Sequence, residues 1–231
     1  MKIHGPSVGV GIAITGITVF VIFIIMGSGF VNSADTTKTQ SNDNGKFQMS
    51  LLSDNTSPIL GSKDAPITMV EFGDYQCFYC NQFYHTTEPD IVKNYVNTGK
   101  VKLVFKDLTI IGQDSINAAH AAHCAQEKGK FWEYHDMLYN NWAGENTGWA
   151  SSKNLLAFAT QVNITASDFN ACMTDARYIS VVQGSVSDAH TLGLTGTPDF
   201  FIIGPDNSIT KIVGAQPYAA FDDIFKSKLK I

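Results

Sequence analysis

The chain has 231 residues, a formal net charge of −5 and an aromatic content of 11%. With 21 acidic against 16 basic side chains it offers no basic patch, which argues against nucleic acid as substrate or partner. All four cysteines lie beyond residue 76, so any cross-linking or thiol chemistry belongs to the later part of the chain.

In chain order, the first feature is an uncharged run from Val8 to Val31. About 24 such residues are enough to cross a bilayer and exceed the usual apolar segment of a secretory signal. The glycines and threonines within it are tolerable in a membrane helix. Lys2 precedes the run and Asp35 and Lys38 follow it, a weak charge bias that places the N-terminus inside. The expectation is a short cytoplasmic N-terminus (1–7) and an uncleaved single-pass anchor (8–31) in the cell membrane, with the rest on the extracytoplasmic side. Cleavage near Ser33 or Ala34 is the competing reading. Residues 32–46 are small and polar and read as a flexible tether. Residues 47–231 are enough for one domain with a sizeable core.

Within that domain, Phe47–Leu52 is expected as a short strand and Ile67–Phe72 as a buried one. Cys80 to Val96 reads as a helix bent near Pro89. Val101–Phe105 alternates as a second main strand. A largely helical block runs from about Ser115 to His190, broken by a loop from Asn140 to Gly148. Phe200–Ile203 is a strand, Gly204-Pro205-Asp206-Asn207 a turn, Ile209–Val213 another strand, and Tyr218–Leu229 a closing helix. The expected class is α/β, a thioredoxin-type sheet with helices inserted at about 112–190, preceded by one transmembrane helix.

The chemistry centres on Cys77-Phe78-Tyr79-Cys80, which follows a strand and opens a helix. A thiol in the first helical turn meets unsatisfied amide N–H groups and the positive end of the dipole, which lower its pKa. A second thiol three residues on lies on the same face, close enough to form a disulfide. This geometry suits thiol–disulfide exchange. An even cysteine count in an oxidising space suggests two bridges, leaving Cys124 and Cys172 to each other. Such a bridge would close a loop of about 48 residues and contribute a few kcal/mol. A regulatory or electron-relay role for it is the alternative. One CxxC with two isolated helical cysteines is a poor zinc set, and no metal or cofactor is expected. His120, His123 and His135 have no carboxylate at ligand spacing, so ordinary packing or exposure is expected. Trp132, Trp142 and Trp149 are read mainly as packing, with an aromatic substrate groove as the alternative.

Four segments, in order, resemble the DsbA-like thiol–disulfide oxidoreductases of the thioredoxin superfamily. They are Gly61–Pro66, Val70–Cys80, Ala125–His135 and Gly196–Ile202. The likeness is greatest to membrane-tethered or secreted forms with an additional disulfide in the helical insertion. The resemblance implies that Cys77 is the exposed nucleophile and Cys80 resolves the mixed disulfide. It further implies a cis Pro198 opposite the pair, with the Thr197 backbone pairing with an extended peptide. Glu71 matches the acidic residue beneath the site. An outward-facing carboxylate is the other reading of Glu71 from residues alone.

Many relatives carry proline and then histidine or tyrosine between the cysteines, where this chain has Phe78-Tyr79. The missing histidine removes one source of oxidising power. The two rings are expected either to grip unfolded apolar clients or to pack in the core. The implied function is insertion of disulfides into reduced extracytoplasmic clients. The implied protein is monomeric, with a quinone-linked membrane oxidase as electron acceptor. A reductase or isomerase, or a non-catalytic anchored chaperone or binding module, are the alternatives.

Overall fold

In the computed structural model, residues 48–231 are described. Two apolar runs, β1 (Ile67–Gly73) and β2 (Val101–Asp107), pair in parallel with Ile67 opposite Val101 and Gly73 opposite Asp107. Parallel neighbours need a crossover. Here it is α2 (Phe78–Thr86) followed by α3 (Glu88–Ile91), which continues as a π-helical turn over Val92–Val96. The restart between α2 and α3 falls where Pro89 occupies the first turn of α3, a position where its missing N–H costs nothing.

β3 (Asp199–Ile203) and β4 (Ile209–Val213) form an antiparallel hairpin, and β3 lies antiparallel to β1. The sheet order is β2-β1-β3-β4. Between β2 and β3 run α4 (Gln113–Gln126), α5 (Phe131–Asn140), α6 (Ser152–Gln161), α7 (Ala166–Thr174) and α8 (Ile179–Thr191). The chain ends with α9 (Tyr218–Leu229).

Alternation along the strands divides the core. Ile67, Met69, Phe200 and Ile202 pack with Phe83, Phe221 and Phe225 on the α2 and α9 side. Val70, Phe72, Val104 and Phe201 pack with Ala189 and Leu194 on the α8 side. The inserted helices have a core of their own, in which small residues of α4 (Ala118, Ala121, Ala122) admit Tyr134, Leu138 and Phe158.

Three expectations are corrected here. The strand expected at Phe47–Leu52 is a helix over 48–53, α1. Met49 and Leu52, three residues apart, pack together against the α8-side core, which is a helical spacing. Second, no helix among the described residues is long and apolar enough to cross a membrane. The membrane-tethered, single-pass architecture is therefore corrected to what the described residues form, a thioredoxin-type domain with no membrane-spanning helix among them. The stretch 8–31 on which it rested lies outside the described residues.

Third, His123 does have a carboxylate partner. Its Nε2 lies 2.7 Å from Asp107 Oδ2, both groups being buried, because α4 packs its histidine onto the end of β2. Asp107 is distant in sequence, and only the fold brings the two together.

Candidate active site

Between the end of β1 and the start of α2 the chain makes a turn that Asp74 holds in shape. Its carboxylate accepts hydrogen bonds from the backbone N–H groups of Gln76 (2.9 Å), Ile110 (2.9 Å) and Ile111 (3.1 Å). Its carbonyl accepts from the Cys77 N–H at 2.9 Å. Gln76 ties the turn to α4 and to the loop after α5. Its Nε2 donates to Ser115 Oγ (3.1 Å), its Oε1 accepts from the Asn146 N–H (2.7 Å), and its carbonyl accepts from Trp142 Nε1 (2.8 Å). A buried Gln with its polar atoms paired in this way fixes the backbone just before Cys77.

Cys77 is the N-cap of α2, in an extended conformation (φ −66°, ψ 127°) that aims its sulfur at the first-turn amides. Cys77 and Cys80 are both free thiols. Cys77 is lowered to about 6, chiefly by a hydrogen bond from Cys80. Burial opposes this, while Thr197 and the backbone N–H groups of Cys80 and Tyr79 lower it further. Cys80 is fully buried, and burial, its bond to Cys77 and the negative charge of Cys77 and Glu71 push it well above the ordinary thiol range. At neutral pH the pair is thus a thiolate at Cys77 and a thiol at Cys80. That division suits an attacking and a resolving sulfur.

The Thr197–Pro198 peptide is cis, and the Cys77 thiol lies 3.4 Å from the Thr197 carbonyl. Cys77 itself is only 6% exposed, not the openly exposed sulfur the resemblance implied. The Thr197 backbone packs against it, and the exposed surface beside it belongs to Phe78 (50%) and Tyr79 (59%). The Phe78 ring contacts Tyr79 at 5.3 Å and Trp142 at 5.9 Å between centroids. Both rings between the cysteines therefore face solvent and are not core residues.

Glu71 lies within β1 opposite Phe105 and Phe200 and is 1% exposed, so it is not an outward-facing carboxylate. Its Oε1 lies 3.4 Å from where a Cβ on Gly73 would stand. Burial raises its pKa well above the carboxylate range, and the charges of Glu88 and Cys77 add to that.

Several site residues escaped the sequence reading. Glu88 is 5% exposed and pushed up to about 8 by burial and by Asp136. A carboxylate in the first turn of a helix is ordinarily a solvated partner of the dipole, so nothing in the sequence marks it as buried. Glu145 accepts the Phe78 N–H at 3.1 Å from the loop after α5, about 70 residues along the chain. The turn-forming role of Asp74 was legible in principle from its place between a strand and a helix.

Cys124 and Cys172 form a disulfide joining α4 to α7 (Cα–Cα 5.8 Å). His120 Nε2 and the two sulfurs lie within 4.8 Å of one another. With both sulfurs in the disulfide, the trio offers no thiolate to a metal.

The sequence profile of a family described as thioredoxin matches residues 53–221. The chain belongs to the thioredoxin family. Among its relatives, the probable disulfide bond formation protein D of Bacillus cereus is 29% identical over 153 residues, covering 64% of this chain and 71% of that protein. The crystal structure of oxidised BdbD from Bacillus subtilis superposes with a TM-score of 0.68 at 25% identity, over 75% of this chain and 93% of BdbD. Wolbachia pipientis α-DsbA1, 24% identical, shares the fold (TM-score 0.66, over 73% of this chain and 88% of that one). With a reactive CxxC at the head of α2 and this family membership, the protein is a DsbA-like thiol–disulfide oxidoreductase. It acts on client proteins by exchange at a cysteine pair.

Proposed function

We propose that the protein oxidises client dithiols, inserting disulfides, with Cys77 as the sulfur attacked and Cys80 as the leaving sulfur. The observation that carries this reading is the asymmetry of the pair. A Cys77 held at about 6 stabilises the reduced enzyme, and stabilising the reduced form makes the disulfide the better oxidant. The Cys124–Cys172 bridge supports work in an oxidising compartment.

In the first step a client thiolate bonds to Cys77 Sγ, the Cys77–Cys80 bond breaks, and Cys80 takes the electron pair and then a proton. A second client thiolate attacks the client sulfur of the mixed disulfide. The client leaves oxidised, and Cys77 leaves as a thiolate stabilised by the first-turn amides. The Thr197 backbone beside Pro198 pairs with the extended client chain, and the exposed Phe78 and Tyr79 rings grip its apolar side chains. Glu71, buried beneath the pair, exchanges the proton with Cys80.

Single-turnover oxidation of a two-cysteine peptide by the oxidised protein tests this. Cys77→Ala is expected to fall to the uncatalysed background, and so is Cys80→Ala, which has no internal disulfide to transfer but whose Cys77 thiolate should attack an added peptide disulfide and be held in a mixed disulfide with it. Comparable oxidation by Cys77→Ala would sink the assignment. A strongly reducing potential for the Cys77–Cys80 pair in glutathione buffers would turn the reading to a reductase.

A further inference from the structure

The inserted helices hold a group of side chains that the exchange reaction does not use. His120 and Cys124 lie four residues apart on α4, a spacing that puts both on one face of the helix. Cys172 reaches the same point from α7, its sulfur joined to that of Cys124 in the bridge. A ring nitrogen of His120 and the two sulfurs all lie within 4.8 Å of one another, and all three residues are buried. Among the described residues, no other group of three or more His, Cys, Asp or Glu side chains is gathered this closely.

The imidazole singles the group out. His123, also buried on α4, has both ring nitrogens engaged, Nε2 with Asp107 at 2.7 Å and Nδ1 with Gln126 at 3.4 Å. His120 differs, because its Nε2 is buried and has no hydrogen-bond partner. A buried polar atom left in that state carries the full cost of its desolvation. While the bridge is closed, neither sulfur is a thiolate that could share a ligand with it. Once Cys124 and Cys172 are thiols, the same nitrogen lies beside two sulfurs that can ionise.

We propose that His120, Cys124 and Cys172 form a metal site for a zinc-like dication, open only while the two cysteines are reduced, as they are when the chain is first made. The inference stands apart from the exchange reaction at Cys77 and Cys80. On binding, two thiols lose their protons. The ion takes two thiolates, one neutral imidazole and a water in its fourth position, the donor set of an open zinc site. The two thiolates cancel the charge of the dication, which suits the apolar core to which Cys124 and Cys172 belong. To share a tetrahedral ion at about 2.3 Å the sulfurs part to roughly 3.8 Å, which side-chain rotation about Cα atoms 5.8 Å apart allows.

The ion then holds α4 to α7 before the bridge does, and it keeps both thiolates from pairing wrongly with Cys77 or Cys80. Oxidation by a disulfide takes two electrons from the pair and forms the Cys124–Cys172 bond. The oxidant leaves as two thiols, having gained those electrons and two protons, and the ion is released. Bridge and metal exclude each other.

The test uses the full chain carrying Cys77→Ser and Cys80→Ser, which leaves Cys124 and Cys172 as its only thiols. The protein is reduced with a phosphine, freed of it without air, and titrated with cobalt(II) as a spectroscopic substitute for zinc. The reduced chain is expected to bind one ion, with the visible bands of a tetrahedral site and a thiolate charge-transfer band, and zinc should displace it. The chain oxidised with glutathione disulfide should bind none. Zinc should raise the melting temperature of the reduced chain and leave that of the oxidised chain unchanged.

His120→Ala should weaken binding by about 100-fold, at the upper end of what the loss of even an outer-shell partner costs. Its folding is checked by helical circular dichroism and by closure of the Cys124–Cys172 bridge on oxidation. Where that variant fails to fold, the paramagnetically shifted imidazole resonances of a cobalt-bound histidine decide the point with His120 in place. No ion bound by the reduced chain, equal binding by the oxidised chain, or undiminished binding by a folded His120→Ala would each overturn the site. So would a bound ion without the histidine resonances.

Discussion

The first-turn amides of α2 are not equally available to the Cys77 sulfur. Those of Tyr79 and Cys80 lower Cys77, whereas the Phe78 N–H is taken by the Glu145 carboxylate at 3.1 Å. Glu145 thus does at the head of this helix what a capping side chain usually does, since Cys77 itself makes no side-chain cap bond. Its negative charge sits at the same helix end as the thiolate and opposes it. Together with Phe78-Tyr79 in place of a cationic residue, it makes the Cys77 thiolate less favourable than the helix alone would allow. Glu145→Gln, which keeps an acceptor and removes the charge, should lower the Cys77 pKa by roughly half a unit, as expected for one exposed charge at a helix terminus. The pH dependence of iodoacetamide alkylation reads this directly. The measured reduction potential should rise in the same variant. A Cys77 pKa that rises on substitution would mean that Glu145 acts by holding the loop in place and not by its charge.

At the scale of elements, the disulfide and the loop after α5 do different jobs. The Cys124–Cys172 bridge ties α4 to α7 across 48 residues, both in the helical insertion. Restricting the unfolded chain by such a loop is worth about 4 kcal/mol in the chain-entropy account. The double variant Cys124→Ser/Cys172→Ser is therefore expected to melt about 8–16 °C lower, with an unchanged rate of Cys77 alkylation. A slowed Cys77 would show that the insertion also tunes the reactive pair.

The elements themselves were largely legible in the sequence. The β1 and β2 runs, the helical block and the final hairpin are long, strongly patterned segments whose burial follows their apolar residues. The exceptions have physical reasons. Six residues at 48–53 are too short for periodicity to separate helix from strand, and packing against Val70 and Phe72 decided for helix. In the site, the cysteines and Thr197-Pro198 stand out because their chemistry depends on local order along the chain. Glu145 and the Asp107–His123 pair do not, because each acquires its partner only through tertiary contact, and the burial of Glu88 is likewise set by the fold.

For the molecule as a whole, the buried titratable groups set a pH dependence whose sign is fixed by how each is shifted. His135 is fully buried, with Nδ1 3.0 Å from the Tyr75 hydroxyl, and burial pushes it down to about 3. The folded protein therefore keeps it neutral where the unfolded chain would protonate it, and stability falls as pH drops below about 6.5. Glu88 is shifted the other way, to about 8. Between about 4.5 and 8 the unfolded chain releases that proton and the folded protein retains it, so Glu88 destabilises the fold increasingly as pH rises through this window. Glu71, raised by burial and by Glu88, adds in the same direction. Removing the ionisable group while keeping its shape should then stabilise the protein. Glu88→Gln is expected to gain about 1–3 kcal/mol in urea unfolding at pH 7.5, with the gain shrinking toward zero near pH 4.5. A loss of stability at pH 7.5 would show that the carboxylate is held ionised and paired. A gain would show that the fold carries two unpaired acids in its interior at a cost to its own stability.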